Sequence, residues 1–227
     1  MRKLLSCLGR DVVMLFLFGG MIVGMSVGDA FVSFKPAVSF EDMLDGEEVR
    51  AGTHVAGNVV YALDYFASES SYTRYRDGSR SGSKKSGNYY MIPTASGYIG
   101  LKSRQVDVSA LNALSEETFE YLTSGTEPST EIFMQGSVEV MEEELTGYFR
   151  EYLEEMGYTE AEIEDMGQPL VVQYVSFAAV RIMFAIGLVL IFLGGFIIWK
   201  RYKRLDDPNR GVMRVDDLPD TAAGQAP

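Results

Sequence analysis

Two long apolar runs without a charged residue constrain this chain more than any other feature. The first is Val12 to Val27 and the second is Ile182 to Trp199. Each approaches the ~20 residues with which an α-helix crosses ~30 Å of hydrocarbon. Because backbone polar groups find no water in lipid, isolated runs of this length are expected to be helices. The sequence therefore predicts two transmembrane helices, at residues 11–28 and 177–199.

Positive charge near the ends of these runs predicts their orientation. Arg2, Lys3 and Arg10 precede the first run, and a second basic cluster, Lys200 to Arg204, follows the other. Lys and Arg concentrate on the cytoplasmic side of membrane helices. We therefore expect a multi-pass protein of the plasma membrane with both termini in the cytoplasm. Its parts would be a cytoplasmic N-terminus (1–10), an extracytoplasmic domain (29–176) and a cytoplasmic disordered tail (200–227).

The first apolar run also has the features of a signal peptide. It has a basic start and a small-x-small site at Gly28-Asp29-Ala30. Its uncharged core of 16 residues is slightly longer than a usual signal-peptide core, which favours retention as an anchor. Cleavage after Ala30 stays an alternative.

The region between the two runs is strongly acidic. Residues 29 to 180 hold 26 Asp and Glu and 10 Lys and Arg, a net charge of −16. This charge argues against binding of nucleic acid. Cys7 is the only cysteine, so the domain has no internal disulfide and depends on its core. With no Asn-x-Ser/Thr sequon either, the composition favours a bacterial cell envelope.

Hydrophobic periodicity predicts an α+β domain with a small curled β-sheet and helices packed on it. Apolar residues alternate from Val55 to Tyr65, as in a strand. Further strands are expected at 72–76, 88–93, 98–103, 131–141 and 170–176, and helices at 109–122, 142–156 and 159–167. The order of these elements resembles an OB-type barrel.

The whole chain resembles uncharacterised two-span bacterial membrane proteins with one extracytoplasmic domain, from Gram-positive lineages. The similar segments are Phe40-Glu-Asp-Met-Leu44, the spacing Gly52/Val55/Gly57/Val59, Tyr89-Tyr90 and Gly136-Ser-Val138. The resemblance covers most of residues 10 to 205 and implies the same topology. It carries no catalytic motif and implies no particular function.

The residue inventory predicts neither a cofactor nor a metal site. His54 is the only histidine and lies within a predicted strand, so neither a Ser-His-Asp triad nor a Cys/His zinc site is expected. The acidic run from Glu41 to Glu48 is a weak candidate for calcium, and we expect a solvated loop there instead. This inventory favours a binding protein over an enzyme.

A local reversal of charge marks the best candidate binding surface. Residues 74–85 carry a net charge of +4 within a domain of net −16, and tyrosines flank them. Such a basic hairpin could bind anionic lipid headgroups or an anionic envelope polymer. A flexible loop kept soluble by its charge is the alternative. The candidate residues are Arg74, Arg76, Arg80, Lys84, Lys85, Tyr75, Tyr89 and Tyr90.

Three glycines indicate a packing face on the first apolar run. Gly20, Gly24 and Gly28 are four residues apart, which places them on one side of a helix and permits close approach of another backbone. The partner would be the second apolar helix, with Gly187 and Gly194, or a second copy of the chain. Glycine is also simply common in membrane helices.

The sequence thus predicts a membrane-anchored interaction or sensor module of the cell envelope. Its outer domain would bind a partner protein or an anionic envelope component. Two alternatives stay open: an accessory subunit of a larger membrane complex, and a carboxylate-based enzyme acting next to the membrane. The expected partners are membrane lipids and either a second copy or another membrane protein.

Overall fold

A computed structural model describes residues 9–71, 81–82 and 84–205. The chain divides into two compact units. The first consists of Val27–Ile182, and the second combines Met1–Ser26 with Met183–Pro227. The two apolar helices each contribute residues to both units.

Six helices and seven strands form the described chain. The helices are α1 (Arg10–Ser33), α2 (Phe40–Leu44), α3 (Val108–Ser124), α4 (Glu143–Glu155), α5 (Glu160–Asp165) and α6 (Phe177–Leu205). The strands are β1 (Ala37–Val38), β2 (His54–Asn58), β3 (Tyr65–Ser71), β4 (Lys84–Thr94), β5 (Gly97–Lys102), β6 (Phe133–Val140) and β7 (Leu170–Tyr174). The predicted α+β class is confirmed.

The strands form one mixed sheet in the order β1-β2-β6-β7-β5-β4-β3. The β1–β2 and β5–β7 pairs are parallel, and the others are antiparallel. β1 and β3 lie at opposite edges and do not pair with each other in the described chain. The expected OB-like barrel is therefore wrong. Cores on both faces hold the sheet open, whereas a small barrel turns one face inward.

Each face of the sheet carries its own core. Along β4, Tyr90 and Ile92 face the core that contains α2 and α3, whereas Met91 faces the core beneath α4 and α5. This alternation follows from the two-residue period of a strand. In the first core Leu111 and Leu114 of α3 are fully buried, and in the second Leu153 of α4 is. The result is a three-layer domain with helices on both faces.

The helices of the second unit pack through an antiparallel seam. Val12, Gly19 and Ser26 are the buried positions of α1 in this unit, seven residues apart. On α6 the buried positions are Gly187 and Gly194. A seven-residue repeat keeps the same side of each helix at the contact. By length and composition alone, both helices could cross a membrane.

Several predicted elements differ from the observed ones. β2 ends at Asn58, and residues 59–64 are irregular, so the predicted strand to Tyr65 is too long. β4 begins at Lys84 instead of Asn88. The predicted strand at 72–76 lies outside the described residues, and β1 and β3 were not predicted. α3 and α4 lie within two residues of their predicted bounds.

Candidate functional site

The loop between α2 and β2 separates two adjoining cavities. Gly46 and Gly52 have φ angles of 108° and 82°, which residues with a Cβ adopt rarely. These two glycines allow the chain to turn after α2 and again before β2. The Glu47 amide donates to the Asp42 carbonyl at 2.8 Å, and the Arg50 amide donates to the Thr53 hydroxyl at 3.1 Å. The loop is thus ordered by its own hydrogen bonds.

The larger cavity has a volume of about 530 Å³. The loop forms one side, and the β4–β5 turn and the segment before β7 form the other. Its lining is mixed in character, with carboxylates, one guanidinium, hydroxyls and a thioether. The polar and charged lining residues include Glu47, Glu48, Arg50, Thr94, Ser96, Tyr98 and Gln168. Arg50 pairs with Glu48 at 3.2 Å, and both side chains are exposed.

Two tyrosines stiffen the far side of this cavity. The hydroxyls of Tyr98 and Tyr158 lie 2.9 Å apart, and their rings meet edge to face at 5.8 Å. Burial, together with the bond to Tyr158, raises the pKa of Tyr98 far above its ordinary value. The hydroxyl therefore stays protonated near neutral pH, so Tyr98 acts as a hydrogen-bonding wall of the cavity.

The smaller cavity, of about 390 Å³, shares four residues with the larger one. It extends along the loop to Lys35, Pro36 and His54. The Lys35 ammonium donates to the Gly52 carbonyl at 2.8 Å, which ties the linker after α1 to the loop. A ligand in this cavity would touch the segment that connects α1 to the domain.

His54 lies where the chain leaves one apolar helix and enters the other. Its Nδ1 is 3.1 Å from the carbonyl oxygen of Lys35, just beyond α1. Its ring meets the ring of Phe177, the first residue of α6, edge to face at 4.2 Å. His54 lies in a strand, as predicted, and is buried because Phe177 covers its ring.

Arg181 joins the adjacent ends of the two apolar helices. Its Nε donates to the Ser33 hydroxyl at 3.2 Å, and its Nη2 donates to the Ser33 carbonyl. The guanidinium also lies over the ring of Phe34 at 5.5 Å. A cation at a helix C-terminus satisfies carbonyls that have no partner within the helix.

The structure distributes the predicted basic surface over different environments. Arg74, Tyr75, Arg76 and Arg80 lie outside the described residues. Lys84 opens β4, and Lys85 is exposed. Tyr89 is half-buried, with the Lys102 ammonium 5.4 Å from its ring centre.

Tyr90 does not belong to that surface. It is fully buried in the core, and its hydroxyl donates to Asn112 Oδ1 at 2.5 Å. Tyr89 and Tyr90 are adjacent in the sequence, but neighbouring residues of a strand face opposite sides of the sheet. The two tyrosines therefore lie in different environments. Tyr90 therefore stabilises the core and cannot contact a ligand at the hairpin surface.

The glycine face predicted for α1 points away from α6. A Cβ on Gly20, Gly24 or Gly28 would meet no other atom within 4 Å. The close contact uses Gly19 and Gly187 instead, and Gly194 packs on the ring of Phe16. The alternative in which Gly20, Gly24 and Gly28 pack against the second apolar helix is thus wrong. A second copy of the chain stays a prediction as their partner.

The acidic run from Glu41 to Glu48 forms local structure. The Asp42 carboxylate accepts hydrogen bonds from the Ser39 amide and hydroxyl at 2.9 and 2.7 Å, which completes a capping box for α2. Glu47 and Glu48 line both cavities. In the described ranges no three His, Cys, Asp or Glu side chains are grouped to hold a metal ion.

These features define the class: an α+β domain, bracketed in sequence by two helices long and apolar enough to cross a membrane. The chain belongs to the family described as Domain of unknown function (DUF8577), which matches residues 3–200. No curated protein and no solved structure matches the chain significantly. The expected membership of an uncharacterised family is confirmed, and the bacterial origin stays a prediction.

Proposed function

We propose that the protein is a membrane-anchored binding and sensor module of the cell envelope. Its outer domain takes a ligand or partner in the two adjoining cavities beside the α2–β2 loop. One observation carries the proposal. The smaller cavity is bounded by Lys35 and His54, and His54 contacts the first residue of α6. Occupation of the cavity thereby reaches the segments that lead into both apolar helices.

The packing of α1 and α6 supports two retained membrane spans. Asp11 and Arg201 form an ion pair at 2.6 Å, so the start of α1 lies beside the last turns of α6. An antiparallel pair places both chain ends on one side, as the two basic clusters independently predict. α1 continues as a helix through the suggested cleavage site, and Ala30 is buried there. Cleavage after Ala30 would remove the surface on which Gly187 packs.

Binding would be transmitted to the apolar helices through the linker after α1. A ligand that displaces the Lys35 ammonium from the Gly52 carbonyl loosens the linker after α1. The same linker presents the carbonyl that His54 contacts and carries Phe34, on which Arg181 packs. The state of the cavity thereby alters the register or tilt of the helix ends. Coupling of this kind requires a ligand with different affinity for the two states.

The basic hairpin is a second candidate, for anionic lipids or polymers. β5 lies between β4 and β7, and its Leu101 pairs with Tyr90 of β4 and with Val172 of β7. Continuing this register by two residues brings Asn88 level with the end of β7, after which the chain enters α6. Residues 84–87 of β4 continue beyond Asn88, past the end of the sheet at which β7 stops. This position supports contact with headgroups. Neutralising Arg80, Lys84 and Lys85 should weaken binding to vesicles rich in phosphatidylglycerol; unchanged binding to vesicles and wall polymers would eliminate the hypothesis.

In-cell photo-crosslinking tests the cavity proposal. A photoreactive phenylalanine at Ser96, in the larger cavity, should give one discrete adduct whose identity mass spectrometry establishes. The same group at Glu151, exposed on α4, is the matched control and should give none. A stoichiometric membrane protein as the adduct would favour the accessory-subunit alternative. Adducts equal in kind and yield at both positions would contradict a site at the cavity.

A further inference from the structure

We propose a second binding site, independent of the cavities above, for a primary alkylammonium group. It is a pocket of about 230 Å³ between α3 and the start of β3. Six residues line it: Asp64, Tyr65, Asn112, Ser115, Glu116 and Phe119. Two are carboxylates, two are aromatic rings, and none is cationic.

The two carboxylates supply the charge that such a ligand requires. Asp64 and Glu116 are both exposed, and they line the pocket from separate segments, the loop before β3 and the helix α3. One oxygen of Asp64 accepts from the Tyr65 amide at 2.8 Å, which fixes the direction of this carboxylate. Hydrogen bonds from an ammonium to carboxylates are charge-assisted and stronger than neutral ones.

The two aromatic rings form walls for the cation and its alkyl stem. Tyr65 is 43% exposed and Phe119 is 47% exposed, large values for aromatic side chains in a folded domain. The Tyr65 ring is held edge to face against the buried Tyr90 at 6.1 Å. An ammonium near an aromatic face gains cation–π attraction, and the exposed apolar surface suits a hydrocarbon stem.

Ser115 is the observation that points from an acidic surface to a ligand. It is only 6% exposed, and it lines the pocket. In the described chain its hydroxyl makes no hydrogen bond, although every fully buried side-chain nitrogen or oxygen there has a partner. The hydroxyl is therefore open to the pocket, where it offers an acceptor. Asn112 beside it is fixed by the bond from Tyr90.

The acceptor count favours a primary ammonium over a metal ion. An ammonium has three N–H donors, and Asp64, Glu116 and Ser115 supply three acceptors from separate side chains. Calcium takes six to eight oxygen ligands, and aromatic walls supply none. A free amine and the lysine side chain of a partner protein share this chemistry.

Titration calorimetry on the full chain in nanodiscs tests the site with butylammonium as the probe. Neutral butanol, of the same shape, should bind at least tenfold more weakly because it lacks the charge. Glu116→Gln and Ser115→Ala should each weaken butylammonium binding. We expect the dissociation constant for butylammonium to rise roughly tenfold in Glu116→Gln. It should rise roughly three- to fivefold in Phe119→Ala, which removes one aromatic ring.

Matched controls lie on the same helix. Glu120→Gln removes an exposed charge one turn away, and Leu122→Ala removes an exposed apolar side chain outside the pocket. Both should leave affinity within twofold. Equal binding of butanol and butylammonium, or equal effects of Glu116→Gln and Glu120→Gln, would overturn the proposal. Two further probes distinguish a free amine from a lysine side chain as the natural ligand. Tighter binding of putrescine supports a free amine, and tighter binding of an N-acetyl-Gly-Lys-Gly-amide peptide supports a lysine side chain.

Discussion

Gly19 of α1 and Gly187 of α6 face each other across a contact between the two apolar helices that leaves no room for a Cβ on either residue. A Cβ on Gly19 would lie 2.9 Å from the Gly187 carbonyl oxygen, and a Cβ on Gly187 would lie 3.1 Å from the Gly19 carbonyl oxygen. In lipid, helices associate through close packing of this kind, because apolar side chains gain nothing by leaving the lipid tails.

Gly19→Ile should therefore separate the helices. Inserting a branched side chain into a packed contact costs about 1–3 kcal/mol, so the thermal midpoint of the chain in nanodiscs should fall by several degrees. Gly24→Ile is the matched control, since nothing lies within 4 Å of a Cβ there. Equal losses for the two variants would contradict the observed seam.

Gly24→Ile also tests the remaining hypothesis for the glycine face of α1. If Gly20, Gly24 and Gly28 pack against a second copy, this substitution should reduce self-association in membranes while leaving the thermal midpoint of the single chain unchanged. Single-molecule photobleaching in nanodiscs or vesicles measures it. Undiminished self-association would leave these glycines without a packing role.

Arg181→Lys should loosen the end of α1 while retaining the charge. The planar guanidinium donates to the carbonyl and hydroxyl of Ser33 while it stacks on the Phe34 ring. A lysine ammonium is not planar and cannot make all of these contacts at once. We expect roughly fivefold faster hydrogen exchange at the Lys35 amide, which bonds to the Val32 carbonyl at 3.0 Å. Arg150→Lys, on α4, serves as the control. Unchanged exchange at Lys35 would show that the helix end does not need the guanidinium.

Glu117 should make the segment after α3 sensitive to acid. Hydrogen bonds from the amide and hydroxyl of Thr130, followed by the Ser129 amide, lower the pKa of this carboxyl. A lowered pKa gives stabilisation that is complete above the ordinary value of about 4.3 and is lost as pH falls through the folded-state pKa.

Exchange of the Ser129 and Thr130 amides measures this effect directly. After correction for intrinsic rates, protection should be constant from about pH 7 to 5 and decline below about pH 4. Glu117→Gln should reduce protection above pH 5 and flatten the profile, whereas Glu120→Gln on the same helix should not. A wild-type profile without acid loss would contradict the role of Glu117.

Gly136 and Gly147 should respond oppositely to alanine. A Cβ on Gly136 of β6 would collide with the Gln173 carbonyl of the neighbouring strand, so the pairing with β7 must shift. A loss above about 2 kcal/mol is expected. Gly147 lies within α4 with nothing in 4 Å, and alanine there should add about 0.5–1 kcal/mol. Chemical unfolding monitored by circular dichroism measures the free energy of unfolding of both variants.

The accuracy of the sequence predictions follows the range of the interactions involved. α3 and α4 depend on residues close in sequence, so the sequence predicted both helices to within two residues. The parallel pairing of β5 with β7 joins segments about 70 residues apart and leaves no periodic signal. The same limit hid the pocket at Ser115, because Asp64, which also lines this pocket, comes from a distant part of the sequence.

The glycine face shows how a motif can mislead. Spacing by four residues indicated Gly20, Gly24 and Gly28. Within the second unit, however, the buried positions of α1 are Val12, Gly19 and Ser26, which are seven residues apart and include only one glycine. Val12 and Ser26 carry the rest of the seam in that unit, and neither is a glycine. Only the position of α6 distinguishes these faces, and the sequence of α1 alone does not contain it.

Labelling of cysteines in intact cells tests the central claim, a domain held outside the membrane by two retained spans. Cys7, the only native cysteine, precedes α1, and the substitution Glu151→Cys adds an exposed thiol on α4. The proposed topology predicts that a membrane-impermeant maleimide labels the introduced thiol before lysis and Cys7 only after lysis, on one chain of full length. Labelling of Cys7 in intact cells, protection of the introduced thiol, or a mature chain that lacks Cys7 would contradict it.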